Sequence, residues 1–252
     1  MYNDIKSRKK EKEMEQIYTI PVNEAFEECR DSARCECPLC KIYAKLEKKE
    51  VEMALGPSMM EPQTRIETNE KGFCKEHFEK LIKQNNKLSL ALILESHLDT
   101  IKKKMKGNLF TAITGSKAKN AVKAATGVTN SCYICDRIEA NFSRMLETAV
   151  LLYSFDVEFK QKLKAQKCFC LPHYQRIMEI GKDKLDKKKY ADFTKDMTDI
   201  ENAYLEKLKN DVSWFCKKFD YRYESEPWYD AKDAVERAIL LLSSGVLPDK
   251  KQ

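Results

Sequence analysis

The chain has 252 residues, of which 42% are hydrophobic and 34% charged, and 46 Lys and Arg against 40 Asp and Glu give a formal charge of +6. That length suits one large domain or two small ones, and the apolar fraction is enough for a core. Only 7 Gly and 7 Pro occur among many Lys and Glu, which points away from turn-rich all-β folds and toward long helices, so the expected fold class is all-α.

In chain order, residues 1–36 read as an N-terminal arm with a short helix. The stretch from Cys40 to Leu55 has apolar residues at Leu39, Tyr43, Leu46, Met53 and Ala54 and stops at Gly56-Pro57, as helix C-termini do. A polar, turn-rich segment leads from there to Gly72-Phe73-Cys74. A second helix begins around Phe78, Leu81 and Ile82, and its later part carries a stripe of Leu94, Leu98, Ile101 and Met105. Residues 107–131 read as a linker with one short helix at Lys117–Ala125. Beyond it, Ile138, Phe142, Met145, Ala149 and Leu152 mark a further helical face. Phe193, Met197, Ile200, Tyr204, Leu208, Val212, Phe215 and Phe219 mark a long amphipathic helix, with Lys, Asp and Glu on its solvated side. A last helix over about Ala231–Ser243 presents Val235, Ala238, Ile239 and Leu242, a stripe expected to dock on the preceding module.

A motif organises these elements. Cys37 and Cys40 are followed, after 33 intervening residues, by Cys74 and His77; Cys132 and Cys135 are followed, after 34, by Cys170 and His173. The copies are offset by 95 residues at the first pair and 96 at the second. Three cysteines and one histidine are the donors of a closed tetrahedral zinc site, and four protein ligands indicate a structural rather than a catalytic metal. The expectation is therefore two zinc ions per chain, one per copy. Zinc-binding helical module 1 spans 37–106, module 2 spans 132–220, and a C-terminal helix and tail fill 221–252. The Cys-x-x-His pairs stand at i and i+3 in a first helical turn, where both side chains project to one side and the helix N-terminus favours thiolate. Six thiolates and two divalent ions would bring the formal charge to about +4, a weak bias that permits an acidic partner without demanding one.

Other residues are assigned smaller parts. His97 reads as a satisfied boundary histidine. Cys35 and Cys168 each precede a ligand cysteine by two positions and are candidate redox or alternate ligands, set against ordinary packing. No catalytic residue is assigned: no nucleophile elbow, phosphate loop, dinucleotide fingerprint or HExxH occurs, so an enzyme is not favoured. No apolar signal-like segment opens the chain and the apolar runs near Leu90–Leu94 and Ala238–Leu242 are too short to span a bilayer, so a cytoplasmic location without membrane association is expected.

The phrase F-C-K-E-H-F-E-K-L after a C-P-L-C helix resembles a bacterial family of uncharacterised proteins with tandem CxxC…FCxxH modules. The resemblance covers roughly Ile17 to Phe219, including Y-T-I-P-V-N-E-A-F near the start. It implies helical modules and metal sites and supplies no activity. Copy two departs from copy one in carrying Cys168 where Gly72 stands and Leu171-Pro172 for Lys75-Glu76, and keeps every ligand. Three roles are carried forward. The first is a zinc-stapled scaffold binding a protein or small molecule. The second, less favoured, is a nucleic-acid binder using Lys102–Lys104, Lys106, Lys117, Lys119 and Lys123. The third is a thiol or zinc redox sensor.

Overall fold

The computed structural model describes residues 2–32, 36–106 and 117–245. Among these, all regular structure is helical, as expected from the scarcity of chain breakers. The helices are α1 (Tyr2–Asp31), α2 (Pro38–Leu55), α3 (Pro62–Lys71), α4 (Lys75–Lys83), α5 (Lys87–Lys106), α6 (Lys117–Thr129), α7 (Tyr133–Phe155), α8 (Val157–Lys164), α9 (Leu171–Lys184), α10 (Lys187–Lys217) and α11 (Ala234–Ser243). Short 3₁₀ turns lie at Pro57–Met60, Tyr221–Tyr223 and Tyr229–Asp233.

Local chemistry places many of the breaks. Asp156 caps α8 by accepting the backbone N–H groups of Glu158 and Phe159, and Asp186 caps α10 by accepting those of Lys188 and Lys189. Asn86 accepts the Ser89 N–H while its own amide donates to the Leu55 carbonyl. That side-chain bonding starts α5 afresh, so the single helix expected after Cys74 is two, α4 and α5. The segment expected to be turn-rich before Gly72 contains the ten-residue α3, opened by Pro62 in the first helical turn, a position that suits proline. The expected N-terminal arm is instead the thirty-residue α1.

The chain forms two compact units, Met1–Ala44 with Phe142–Gln252, and Lys45–Asn141. Their boundaries fall inside α2 and α7 and do not coincide with the modules 37–106 and 132–220 read from spacing. Part of the expected linker, 107–116, lies outside the described residues, and its remainder is mostly α6.

In the first unit α1 packs on α8, α8 on α10, and α9, α10 and α11 on one another. Its core includes Phe26 against Phe159 and Phe169, with ring centroids 4.9 and 6.1 Å apart, and Tyr153 edge-on to Phe193 at 4.9 Å. The predicted stripes of α7 and α10 are buried from Ile138 to Leu152 and from Phe193 to Leu208. The last stripe residues in α10, Val212 and Phe215, are half-buried, and Phe219, two residues past its end, is 76% exposed. The α11 stripe is turned from expectation. Val235, Ile239 and Leu242 are exposed, while Ala234, Arg237 and Leu241 face inward. Arg237 can occupy that face because Asp211 and Asp233 neutralise it at 3.0 and 2.9 Å.

In the second unit α5 packs against α3, α4 and α6. Its buried face is Leu90, Ile93 and His97, whereas Leu98 and Met105 of the expected stripe are exposed. His97 is buried and its Nδ1 is 2.8 Å from the Asn69 carbonyl. Buried Glu50 pairs with Arg137 at 2.6 Å.

Candidate metal centres

Each metal-ligand pair is built by a helix start. Cys74 and Cys170 are the extended N-cap residues of α4 and α9, with φ/ψ of −72/166 and −70/147, and the histidines follow three residues later inside the first turn. The local geometry repeats: Cys74 Sγ lies 3.1 Å from His77 Nδ1, and Cys170 Sγ lies 3.1 Å from His173 Nδ1. Each Cys-x-x-Cys pair opens a helix, α2 or α7, the second cysteine lying in its first turn.

All eight predicted ligands gather into two tetrads, but the partners are exchanged. Centre 1 is Cys37, Cys40, Cys170 and His173; centre 2 is Cys74, His77, Cys132 and Cys135; within each, the donor atoms lie within 4.8 Å of one another. The pairing of ligands within each sequence copy is therefore corrected: the first pair of one copy meets the second pair of the other. Each tetrad lies whole within one compact unit. In centre 1, Cys40 Sγ stands 3.4 Å from Cys170 Sγ across 130 residues of chain, and 3.3 Å from His173 Nδ1. Cys37 Sγ is 3.9 Å from the same nitrogen. In centre 2, Cys132 and Cys135 each place Sγ 3.3 Å from His77 Nδ1, and Cys74 and Cys135 are 3.8 Å apart. A tetrahedral zinc with metal–sulfur bonds of about 2.3 Å needs donor–donor edges of roughly 3.5–3.8 Å; the separations just given lie within a few tenths of an ångström of that range, and no donor pair in either tetrad is more than 4.8 Å apart.

Bonds to backbone carbonyls hold centre 2 together. The Tyr133 N–H donates to the Gly72 carbonyl at 3.0 Å, and the Ser131 hydroxyl to the Lys71 carbonyl at 2.7 Å. These tie the Cys-x-x-Cys turn to the approach to Cys74. Gly72 has φ +62 and ψ −152, and a Cβ there would come 2.6 Å from His97 Nε2. The position therefore requires glycine on both conformational and steric grounds. In centre 1 the residue corresponding to Tyr133 is Pro38, which has no N–H to give. There Glu201 of α10 accepts the Phe169 N–H at 2.6 Å, beside Cys170, and the Gly245 N–H stands 3.4 Å from Cys40 Sγ. Glu201 is buried, with its second oxygen unpartnered, and burial pushes its carboxyl up to about 7.

In each cluster one thiol is held well below its ordinary range. Hydrogen bonds from Cys170 and Cys37 pull Cys40 down to about 4, while hydrogen bonding to Cys37 and Cys40 pushes Cys170 up. Burial raises Cys132, yet His77 and nearby backbone N–H groups bring it to about 6. Burial lowers His77, but Cys132 and Glu47 more than offset it and hold the ring near 10. Such sets of thiols and imidazole exchange protons for a cation readily.

Several neighbours escaped the sequence reading. Glu47 Oε1 stands 3.3 Å from His77 Nε2 and also pairs with Lys80. Tyr43 and Phe142 surround the His173 ring at 6.4 and 5.1 Å. Centre 1 also borders a cavity of about 40 Å³ edged by Lys41, Tyr204 and Arg237, room for no more than a few waters. Cys168 lines it as well, and is buried and disulfide-bonded. Cys35, its companion in the redox reading, lies outside the described residues. The offset between copies is the signal that could have drawn attention to Glu47 and Phe142, since it superposes one on the other.

A family model described as a family of unknown function (DUF6062) matches residues 14–249, and the chain belongs to that family. No curated protein and no solved structure matches it.

Proposed function

We propose that this DUF6062 chain is a zinc-stapled helical scaffold, with two structural Cys₃His centres, that presents its helical surfaces to a protein or small-molecule partner in the cytoplasm. The observation that carries the metal part is the donor set: each tetrad offers four protein ligands, three sulfurs and one nitrogen, at near-tetrahedral spacing. Four protein donors leave no open position for a substrate, which favours a structural over a catalytic ion. The outward-facing Val235, Ile239 and Leu242 of α11 favour a binding role. No described helix is long and apolar enough to cross a membrane, in keeping with this placement.

Metal analysis of paired substitutions tests this reading. Wild-type protein should carry two zinc ions. Cys37→Ser with Cys170→Ser should retain one, because both residues serve centre 1; Cys37→Ser with Cys74→Ser should retain none. The reverse pattern would restore the within-copy pairing, and folded wild-type protein without bound metal would sink the proposal.

A second reading, a thiol-dependent redox switch at centre 1, draws on Cys168, which is oxidised, two residues from Cys170, and on the same cavity. If reduction of Cys168 leaves the zinc content and exchange rate of centre 1 unchanged, that reading is lost.

A further inference from the structure

The two histidines are backed by side chains at one repeat position. An offset of 95 residues carries Cys40 to Cys135 and Glu47 to Phe142; an offset of 96 carries His77 to His173 and Lys80 to Arg176. Both three-residue sets are in contact. Glu47 lies 3.3 Å from His77 Nε2 and holds Lys80 on its other side. Phe142 packs on His173 with ring centroids 5.1 Å apart, and the Arg176 guanidinium stands 5.1 Å from the Phe142 ring centre. The arrangement of histidine, backing residue and cation is thus kept, while the backing residue changes from a carboxylate to an aromatic ring.

The consequence lies at the ring nitrogen that faces away from the sulfurs. His77 and His173 both turn Nδ1 toward the cysteines, leaving Nε2 to carry the proton once Nδ1 is a ligand. At His77 that nitrogen is buried and has no well-aligned acceptor, and the Glu47 carboxylate is close by. A carboxylate behind a ligating histidine fixes its tautomer and ring orientation and makes it a more basic ligand. The corresponding Phe142 is fully buried and has no carboxylate to offer.

We infer that Glu47 is a positioning residue for centre 2, acting through His77, and that the exchange of Glu47 for Phe142 at this repeat position makes the two metal centres unequal. The inference rests on the zinc reading above and deepens it. It assigns one difference between the centres to a side chain outside both ligand sets.

The test is competition of zinc-loaded full-length protein with a chromophoric chelator, followed by ¹H–¹⁵N spectra that resolve the side chains of His77 and His173. Glu47→Ala should weaken zinc binding at centre 2 by roughly 10–100-fold and leave centre 1 unchanged. The Nε2–H signal of His77 should broaden through exchange with water, a change that a merely structural role would not produce. Glu47→Gln keeps an acceptor but loses the charge and should fall between wild type and alanine; if the alanine variant does not fold, it decides alone. Centre 2 affinity within about twofold of wild type in the folded variants, or equal weakening at both centres, would overturn the inference. Wild-type protein that takes up no zinc would remove the metal reading itself, whereas two zinc ions with an indifferent Glu47 would remove this inference alone.

Discussion

Centre 1 and centre 2 use the same four donor types on the same local scaffold, yet their surroundings differ in kind. Centre 2 has two partly exposed cysteines, Cys74 and Cys135, a carboxylate behind its histidine, and hydrogen bonds from the Tyr133 N–H and the Ser131 hydroxyl closing the loop. Centre 1 has only buried ligands, aromatic rings around its histidine, Pro38 in place of the donating residue, and the buried Glu201 bracing Phe169. A repeated donor motif brings the same four donor types together in each centre. It leaves the shell around those donors free to diverge, and the shell sets access, basicity and response to pH.

The comparison can be broken most severely by removing metal altogether. Each centre joins helix starts far apart in sequence, so chelation should cost much of the helical signal in circular dichroism, and readdition of zinc should restore it. Retention of full helicity and thermal stability by metal-free protein would contradict a stapling role.

Next in size is Gly72→Ala, which attacks centre 2 alone. The new Cβ meets His97 in a backbone conformation unsuited to L-residues, and a loss of about 4 kcal/mol is expected in denaturant unfolding. The corresponding residue in copy two is Cys168, which is not among the residues with positive φ. Replacing it with alanine should therefore carry no such conformational cost.

Glu201→Gln probes centre 1 through its brace. The native carboxyl titrates near 7 rather than at the ordinary 4.5. Between those values the folded state holds a proton that the unfolded chain has released, so stability falls as pH rises from about 4.5 to 7, by roughly 3 kcal/mol in all, and is level outside that window. The glutamine variant keeps an acceptor for the Phe169 N–H and should flatten this slope. An unchanged slope would place the ionisation elsewhere.

The smallest expected difference is kinetic. A bulky thiol reagent should modify Cys74 and Cys135 of the zinc-loaded protein before Cys37, Cys40 or Cys170, as read by mass spectrometry of quenched samples. Equal rates would mean that burial does not distinguish the centres in solution.

Much of this architecture was legible in the residues. The periodicities of α2, α7 and α10 reflect one-sided burial, and the scarcity of Gly and Pro carries the fold class. The eight ligands announce themselves because Cys-x-x-Cys and Cys-x-x-His are local patterns, complete within a single turn and helix start. The faces of α5 and α11 were less legible. Leu98 and Val235 continue apolar stripes that the packing turns outward, and a polar histidine and arginine are accepted inward because Asn69, Asp211 and Asp233 satisfy them. Such compensation depends on residues distant in sequence.

The sequence by itself determined an all-α chain and the eight Cys and His donors, in four pairs, since these follow from composition and short-range spacing. Only the tertiary structure decided which pairs join. Both copies have nearly the same internal spacing, so pairing within a copy and pairing between copies satisfy the local rules equally. The choice is made by which helix starts are packed side by side. That same packing put Glu47 behind His77 and Phe142 behind His173, a difference carried by side chains far from the ligands in sequence and in contact with them only once the helices have come together.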